Sequence, residues 1–370
     1  MTAPVIPWFQ LETGPEEIAA VDKVIASNYL NDGNVTRAFE VRVAEILGVK
    51  HCVASTSGTT ALTLALMACG VGPGDEVIVP DLTFIASANA ARLAGASVKL
   101  VDVEPRRFTI DLQRLAAAIG PKTRAVMPVD VNGRGADYQA LEPFCAKHGL
   151  KLVCDAAEAF GSRWGGRMLG TWGDAACFSF SPNKTVSTGQ GGCVTTNDTA
   201  IYHRLLELKD HGRRRQGTGG NDLHPVMGYN FKLTNMQAAI GLAQLDRLGT
   251  RLAGFRQRNR WYAELLADCP GVILPPIDDN GGEITQWTDA LTDRAEVVEA
   301  ALTAAGIGSR RFWYPIHRQE PYAAPDAEFP HAIGVSARGI WLPSHFQLTR
   351  EEVERTAKVV RSAFMGDRRA

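Results

Sequence analysis

The chain has 370 residues, room for two or three domains at roughly 150 residues each, and its 45% hydrophobic and 21% charged content is that of an ordinary globular enzyme with a sizeable core. Lys+Arg 39 against Asp+Glu 40 leave a formal charge of −1, so there is no basic excess for a nucleic-acid footprint, and the one dense basic run, Arg213-Arg214-Arg215, is too short to make one. The seven cysteines form no CxxC pair and no Cys/His ligand spacing, which excludes a disulfide scaffold and a metal site; Cys52, Cys69, Cys154, Cys177 and Cys193 lie in apolar runs and read as small buried hydrophobes of a reduced compartment.

The opening MTAPVIPWFQLETG has neither a basic n-region nor a long apolar stretch, and no segment approaches the ~18 apolar residues of a membrane span. A cytoplasmic enzyme with no membrane partner is expected. Thr13 with Glu16 reads as a capping box, Pro15 suits a first turn, and Ile18, Val21 and Ile25 mark one face of the helix that follows. A second helical pattern carries Phe39, Val43, Ile46 and Leu47 and stops at Gly48. A short strand, HCVAS (51–55), leads through SGTT into a helix over Leu62, Leu66 and Met67 to Gly70. GPGDEVIVP (72–80), SVKLVDV (97–103), RAVMPVDV (124–131), LKLVCD (150–155) and DAACFSF (174–180) are short β-branched runs separated by helices, and they predict a largely parallel sheet covered on both faces. A long helical stretch through Leu245, Leu248 and Leu252 ends at CPGV, and the turn-rich DNGG (279–282) follows. One strand pattern, a helix opened by Asp293 with Glu296, and a last helix opened by Thr349 with Glu352 complete a smaller α/β unit. The expected fold is α/β in two parts: residues 1–248, with an N-terminal arm, and 249–370.

The chemistry concentrates in 155–192. Asp155 ends an apolar strand, where open α/β sheets place ligand groups, and Lys184 follows 29 residues later, past another strand, beside Pro182, Asn183 and a Gly-rich run. Such an acid and amine suit pyridoxal 5′-phosphate (PLP), whose aldehyde takes a lysine as a Schiff base and whose ring nitrogen a carboxylate keeps protonated. A strand-end Asp is commonly a cap and a lone Lys commonly solvated, so the pair gains its meaning from an adjoining phosphate site. STSGTT (55–60) supplies one: free N–H groups at a helix start let Gly58 and Thr59 cradle a dianion. No Lys follows that Gly, so it is not a nucleotide-hydrolysing Walker loop. Ser179 is placed to add a hydroxyl, and Phe84, in PDLTF, to stack on a pyridine ring.

Together SGTTAL, GPGDEVIVPDLTF, DAAEAFGS, FSFSPNK, TGQGG and GYNFKLTNMQAAIGLAQL resemble the DegT/DnrJ/EryC1/StrS family of PLP-dependent sugar aminotransferases, from about residue 6 to 365. The resemblance implies the fold type I (aspartate-aminotransferase-like) architecture, a homodimer with shared active sites, and transfer of an amino group from L-glutamate to a nucleotide-linked keto-sugar. It makes Lys184 the Schiff-base lysine and proton shuttle, Asp155 the partner of the ring nitrogen, Phe84 the stacking ring, and Gly58, Thr59 and Ser179 phosphate ligands. Asn230 would reach the cofactor phosphate of the neighbouring subunit.

Glu158, near the cofactor's phenolic oxygen, stands where Gln or His is common; with Glu there, DAAEAFGS is similar to the perosamine-synthase branch, which acts on GDP-4-keto-6-deoxymannose, as is RGIWLPS (338–344). Gln190, Ser181 and Asp130 are further departures, replacing a usual Glu, a His or Phe, and a His. RRFWYPIH (310–317) resembles the segment lining the sugar-nucleotide cleft, which makes Tyr314 and His317 substrate candidates; Arg213, Arg214 and Arg215 are candidates for a diphosphate. The rivals are a PLP-dependent 3-dehydratase, in which His replaces the lysine, a 3-aminotransferase, and a non-catalytic regulator built on the same fold.

Overall fold

The computed structural model describes residues 5–214 and 222–364, so Arg215 of the basic run lies outside the described residues. Helices α1 (Pro15–Ala26) and α2 (Asn34–Leu47) precede β1 (His51–Ser55), α3 (Gly58–Ala68), β2 (Glu76–Pro80), α4 (Ala86–Leu93), β3 (Ser97–Val101), α5 (Leu112–Ala118) and β4 (Thr123–Val126). There follow α6 (Tyr138–His148), β5 (Lys151–Asp155), a small hairpin of β6 (Arg163–Trp164) and β7 (Arg167–Met168), β8 (Ala175–Ser179), β9 (Gly192–Thr196) and α7 (Thr199–Lys209).

Seven of these strands form one sheet in the order β1-β9-β8-β5-β4-β2-β3. The pairs from β8 through β3 are parallel, as the β-branched runs implied, and β9 alone runs against its neighbours. Side chains alternate between two apolar layers. Val53, Val77, Val79, Val153, Cys177 and Val194 face α3, α4 and α7. Ile78, Val126, Leu152, Cys154, Phe178 and Cys193 face α2, α6 and α8 (Asn235–Asp246). A strand covered on both sides has no polar face to show, hence the unbroken apolar runs. All seven cysteines are buried and free.

After α8 the chain turns at Arg247 into α9 (Leu248–Leu266), so the single helical stretch read from the sequence is two helices. Then come β10 (Thr288–Leu291), α10 (Ala295–Ala304), β11 (Arg310–Arg311), α11 (Pro330–Arg338), β12 (Gly339–Leu342) and α12 (Arg350–Ser362). The strands make an antiparallel sheet in the order β10-β12-β11. One face packs on α9, α10 and α12 through Tyr262, Leu266, Val298, Leu302 and Val353. The other carries Trp287, Phe312, Trp313 and Trp341, which meet Leu82, Val103, Phe108 and Val129 from the first part. That aromatic layer joins the two parts of the chain. The N-terminal segment also belongs to it: Ile6 bridges to Ile307, Trp8 packs on Trp287 and Trp341, and the carbonyl of Trp8 accepts from Ser344 N at 2.7 Å. Among the described residues no helix is long and apolar enough to cross a membrane.

Two helix starts differ from the sequence reading. The first capping box lies one residue later, with Glu17 accepting from Gly14 N at 2.7 Å, because Glu17 is buried and held by Gln244 and Arg247 of the α8 end. Consequently Ile18 and Ile25 face outward in the single chain, while Glu17 and Val24 are buried. The second is α10, which has no side-chain cap; Asp293 instead pairs with Arg338 at 2.6 Å. The box at Thr349 and Glu352 is present as read.

Candidate active site

The carboxyl ends of β1, β5 and β8 open onto a cavity of about 410 Å³, closed on its far side by the aromatic layer. Open α/β sheets bind ligands at the carboxyl ends of their strands, which accounts for its position. Lys184, Asp155, Glu158, Phe84, Gly58, Thr59 and Ser179 all line it.

Lys184 sits in the loop between β8 and β9, and the loop is tied down from the far part of the chain. Gln286 accepts from Thr185 N at 3.2 Å and donates to the Asn183 carbonyl at 3.0 Å, while Arg251 donates to the Thr185 carbonyl at 3.1 Å. The Lys184 amine donates to Glu158 Oε1 at 3.1 Å and lies 5.1 Å from the centre of the Trp287 ring. Glu158 is fixed in turn, its Oε2 accepting from Asn132 N at 3.0 Å. A buried amine held by one carboxylate, with an aromatic face opposite, has little freedom to wander.

Asp155 ends β5 buried, with Ser87 Oγ donating to Oδ2 at 2.6 Å and Ala157 N to Oδ1 at 3.1 Å. Burial raises its carboxyl above the usual aspartate range, against the pull of the Ser87 and Ala157 bonds. Behind it stands Asp130, whose N–H donates to the Asp155 carbonyl at 2.9 Å. Asp130 is wholly buried; Oδ1 accepts from Tyr138 Oη at 2.7 Å and Ala136 N at 3.2 Å, and Oδ2 has no partner among the described residues. Burial, helped by the nearby Asp155 and Glu283, pushes the Asp130 carboxyl up to about 8 against the pull of its Tyr138 and Ala136 bonds, so it keeps its proton at neutral pH. Phe84 follows β2, lines the cavity and is 53% exposed, unusual for a ring that size.

Opposite, α3 begins at Gly58 with Ser57 as its cap, Ser57 Oγ accepting from Thr60 N at 3.1 Å. The N–H groups of Gly58 and Thr59 have no acceptor among the described residues. Two glycines make this corner possible. A Cβ on Gly58 would stand 2.8 Å from Ser179 Cβ, and one on Gly192, which pairs with both Ser55 and Ser179, would stand 2.4 Å from the Ser57 carbonyl oxygen. Without side chains there, β9 lets the helix start and the Ser179 hydroxyl close on one spot.

Other expected residues lie elsewhere. Asn230 is exposed beside Asp210, outside the cavity of its own chain. Tyr314 is 57% exposed and does not line the cavity. His317 is fully buried: its Nδ1 meets Asp81 Oδ2 at 2.6 Å, its Nε2 meets Asp326 Oδ1 at 3.0 Å, and its ring stacks on Phe329. With both ring nitrogens committed, it holds the 310–317 segment to the end of β2 rather than facing a ligand. Arg213 and Arg214 pair with Asp222 and Glu207 away from the cavity. What the sequence reading did not single out are Trp287, Trp313 and Arg310, which wall the cavity. Two of them stand in the quoted RRFWYPIH; strand alternation separates Arg310 from Arg311, but Trp313 lies beyond the two-residue strand and no local pattern places it. No group of three or more His, Cys, Asp or Glu placed to hold a metal occurs among the described residues.

The sequence model of the DegT/DnrJ/EryC1/StrS aminotransferase family matches residues 12–361. GDP-perosamine synthase of Caulobacter vibrioides is 40% identical over 328 residues, covering 86% of this chain and 86% of that protein. The crystal structure of DesV from S. venezuelae, in complex with a ketimine intermediate, superposes with a TM-score of 0.94 at 33% identity, covering 99% of this chain and 100% of that one. Spr1654 of Streptococcus pneumoniae, solved in a PLP form, gives a TM-score of 0.90 at 26% identity and covers 98% of both chains.

Proposed function

The chain belongs to the DegT/DnrJ/EryC1/StrS aminotransferase family, and from that premise we propose that it uses PLP to move an amino group from L-glutamate to a nucleotide-linked 4-keto-6-deoxyhexose, in the manner of GDP-perosamine synthase. The observation that carries the proposal is one cavity holding a buried amine, Lys184, a buried carboxyl, Asp155, and an open helix start. The residues fit the cofactor: the Gly58–Ser179 contact leaves no room for a side chain where a phosphate would be cradled, and the exposed Phe84 face offers a surface for a ring.

When bound, PLP supplies an aldehyde that condenses with amines and a protonated ring that draws electrons from the neighbouring carbon. Gly58 and Thr59 N–H and Ser179 Oγ would bind its phosphate, and Asp155, oriented by Ser87, would hold the ring-nitrogen proton. Phe84 would cover one ring face. Lys184 Nζ would hold the aldehyde carbon and, once released, move a proton to and from the carbon that carries the amine, with Glu158 orienting it. Trp287 and Trp313 would exclude water from that exchange.

A homodimer with shared sites belongs to the same proposal, with Asn230, exposed and outside its own cavity, reaching the cofactor of the neighbouring subunit. The division into a cofactor-binding part, 1–248, and a smaller part, 249–370, belongs to the same reading; the start of α9 at Leu248 and the separate apolar clusters favour it. The 40% identity to a GDP-perosamine synthase favours a GDP-sugar and carbon 4. The test is purified protein with PLP, L-glutamate and a panel of GDP-, dTDP- and UDP-keto-sugars, read by absorbance and product mass. An amino-sugar product from wild type and none from Lys184→Ala is expected. A protein that takes up no PLP refutes the proposal, and a product lighter by one water assigns the dehydratase instead.

A further inference from the structure

We propose that Arg310 grips an oxyanion of the substrates in this cavity, either a carboxylate of the amino donor or a phosphate of the sugar nucleotide; the inference rests on the transaminase reading of the site. Arg310 opens β11 and pairs in register with Trp341 of β12. Strand alternation sends its neighbour Arg311 to the other face, where Arg311 is spent on the backbone carbonyls of Gly339 and Ala337. Arg310 is turned to the cavity, with its guanidinium carbon 5.5 Å from the Trp8 ring and 5.6 Å from the Trp341 ring.

No carboxylate lies within ion-pair distance of it among the described residues. The other cation lining the cavity, Lys184, is already matched by Glu158. A planar cation resting on two aromatic faces is pre-organised at small entropic cost, and its fork takes carboxylate or phosphate through two parallel bonds. Arg310 is exposed at the cavity mouth, where an incoming anion can reach it. Both substrates of the proposed reaction are anionic at a point remote from the reacting carbon, so one guanidinium serves either half of the cycle or both in turn.

Calorimetric titration of the PLP-loaded protein with glutarate, which has the donor's carboxylates but no amine, and separately with GDP, tests this without turnover. Arg310→Gln should weaken at least one of the two by about tenfold or more, with Arg310→Lys falling between, since a point charge lacks the fork. Loss confined to glutarate assigns the carboxylate, loss confined to GDP the phosphate, and loss of both a shared grip. Retained cofactor absorbance in the variants shows that the fold and the PLP site are intact. Binding of both probes unchanged within twofold, or no binding of either by wild type, overturns the proposal. The transaminase reading fails on a different measurement: a wild type that grips the anions and yields no amino product.

Discussion

Asp130→Asn should make the protein more stable above neutral pH and change it much less in mild acid. An unfolded aspartate titrates near pH 4, whereas burial holds Asp130 at about 8. Between those values the folded chain keeps a proton that the unfolded chain has released, so stability falls as pH rises, at most by about 1.4 kcal/mol per pH unit and by no more than about 5 kcal/mol at pH 8. Asparagine keeps the acceptor for Tyr138 and Ala136, places its amide where the acid's O–H would be, and does not titrate. Tyr138 and Cys154, both raised well above their ordinary values by burial, stay protonated from pH 5 to pH 8 in either protein. Urea denaturation should favour the variant by no more than about 1.5 kcal/mol at pH 5 and by up to about 5 kcal/mol at pH 8. Parallel stability profiles for the two proteins would refute the neutral carboxyl at this position.

Gly58→Ala puts a methyl 2.8 Å from Ser179 Cβ, so PLP titration should show affinity weakened by about tenfold or more, with a stability loss of only about 1–3 kcal/mol; unchanged PLP affinity would show that this corner does not hold the phosphate. Asp81→Asn removes the buried partner of His317 and should cost about 3 kcal/mol in urea denaturation, against about 1 kcal/mol or less for the exposed Asp326→Asn. Equal costs would show that the His317 clamp draws nothing from its burial.

Asp155, Ser179 and Gly58 were legible in the sequence because they sit at the end of a strand or the start of a helix, where local pattern dictates position: Asp155 closes β5, Ser179 closes β8, Gly58 opens α3. The antiparallel β9 went unread because it opens on glycine, whose role is close approach to Ser57 and not side-chain packing. His317 was visible as part of a motif, but its direction is decided by Asp81, more than 200 residues earlier, and no local pattern carries that pairing. The same holds for the shifted cap of α1, where Glu17 answers to Gln244 and Arg247. Trp287 and Trp313 become cavity walls only when the antiparallel sheet lays its aromatic face against the first part.

The pairing of Ile6 with Gly306 and Gly308, and of Trp8 with Ser344, sets an order on biosynthesis. The segment around Ile6 and Trp8 finds its partners only once residues 306–344 have been made, while the central sheet between them has its own strands in hand long before. Until then the apolar patch of Leu82, Val103, Phe108 and Val129 stands uncovered on a growing chain, an open, adhesive flank beside a finished sheet.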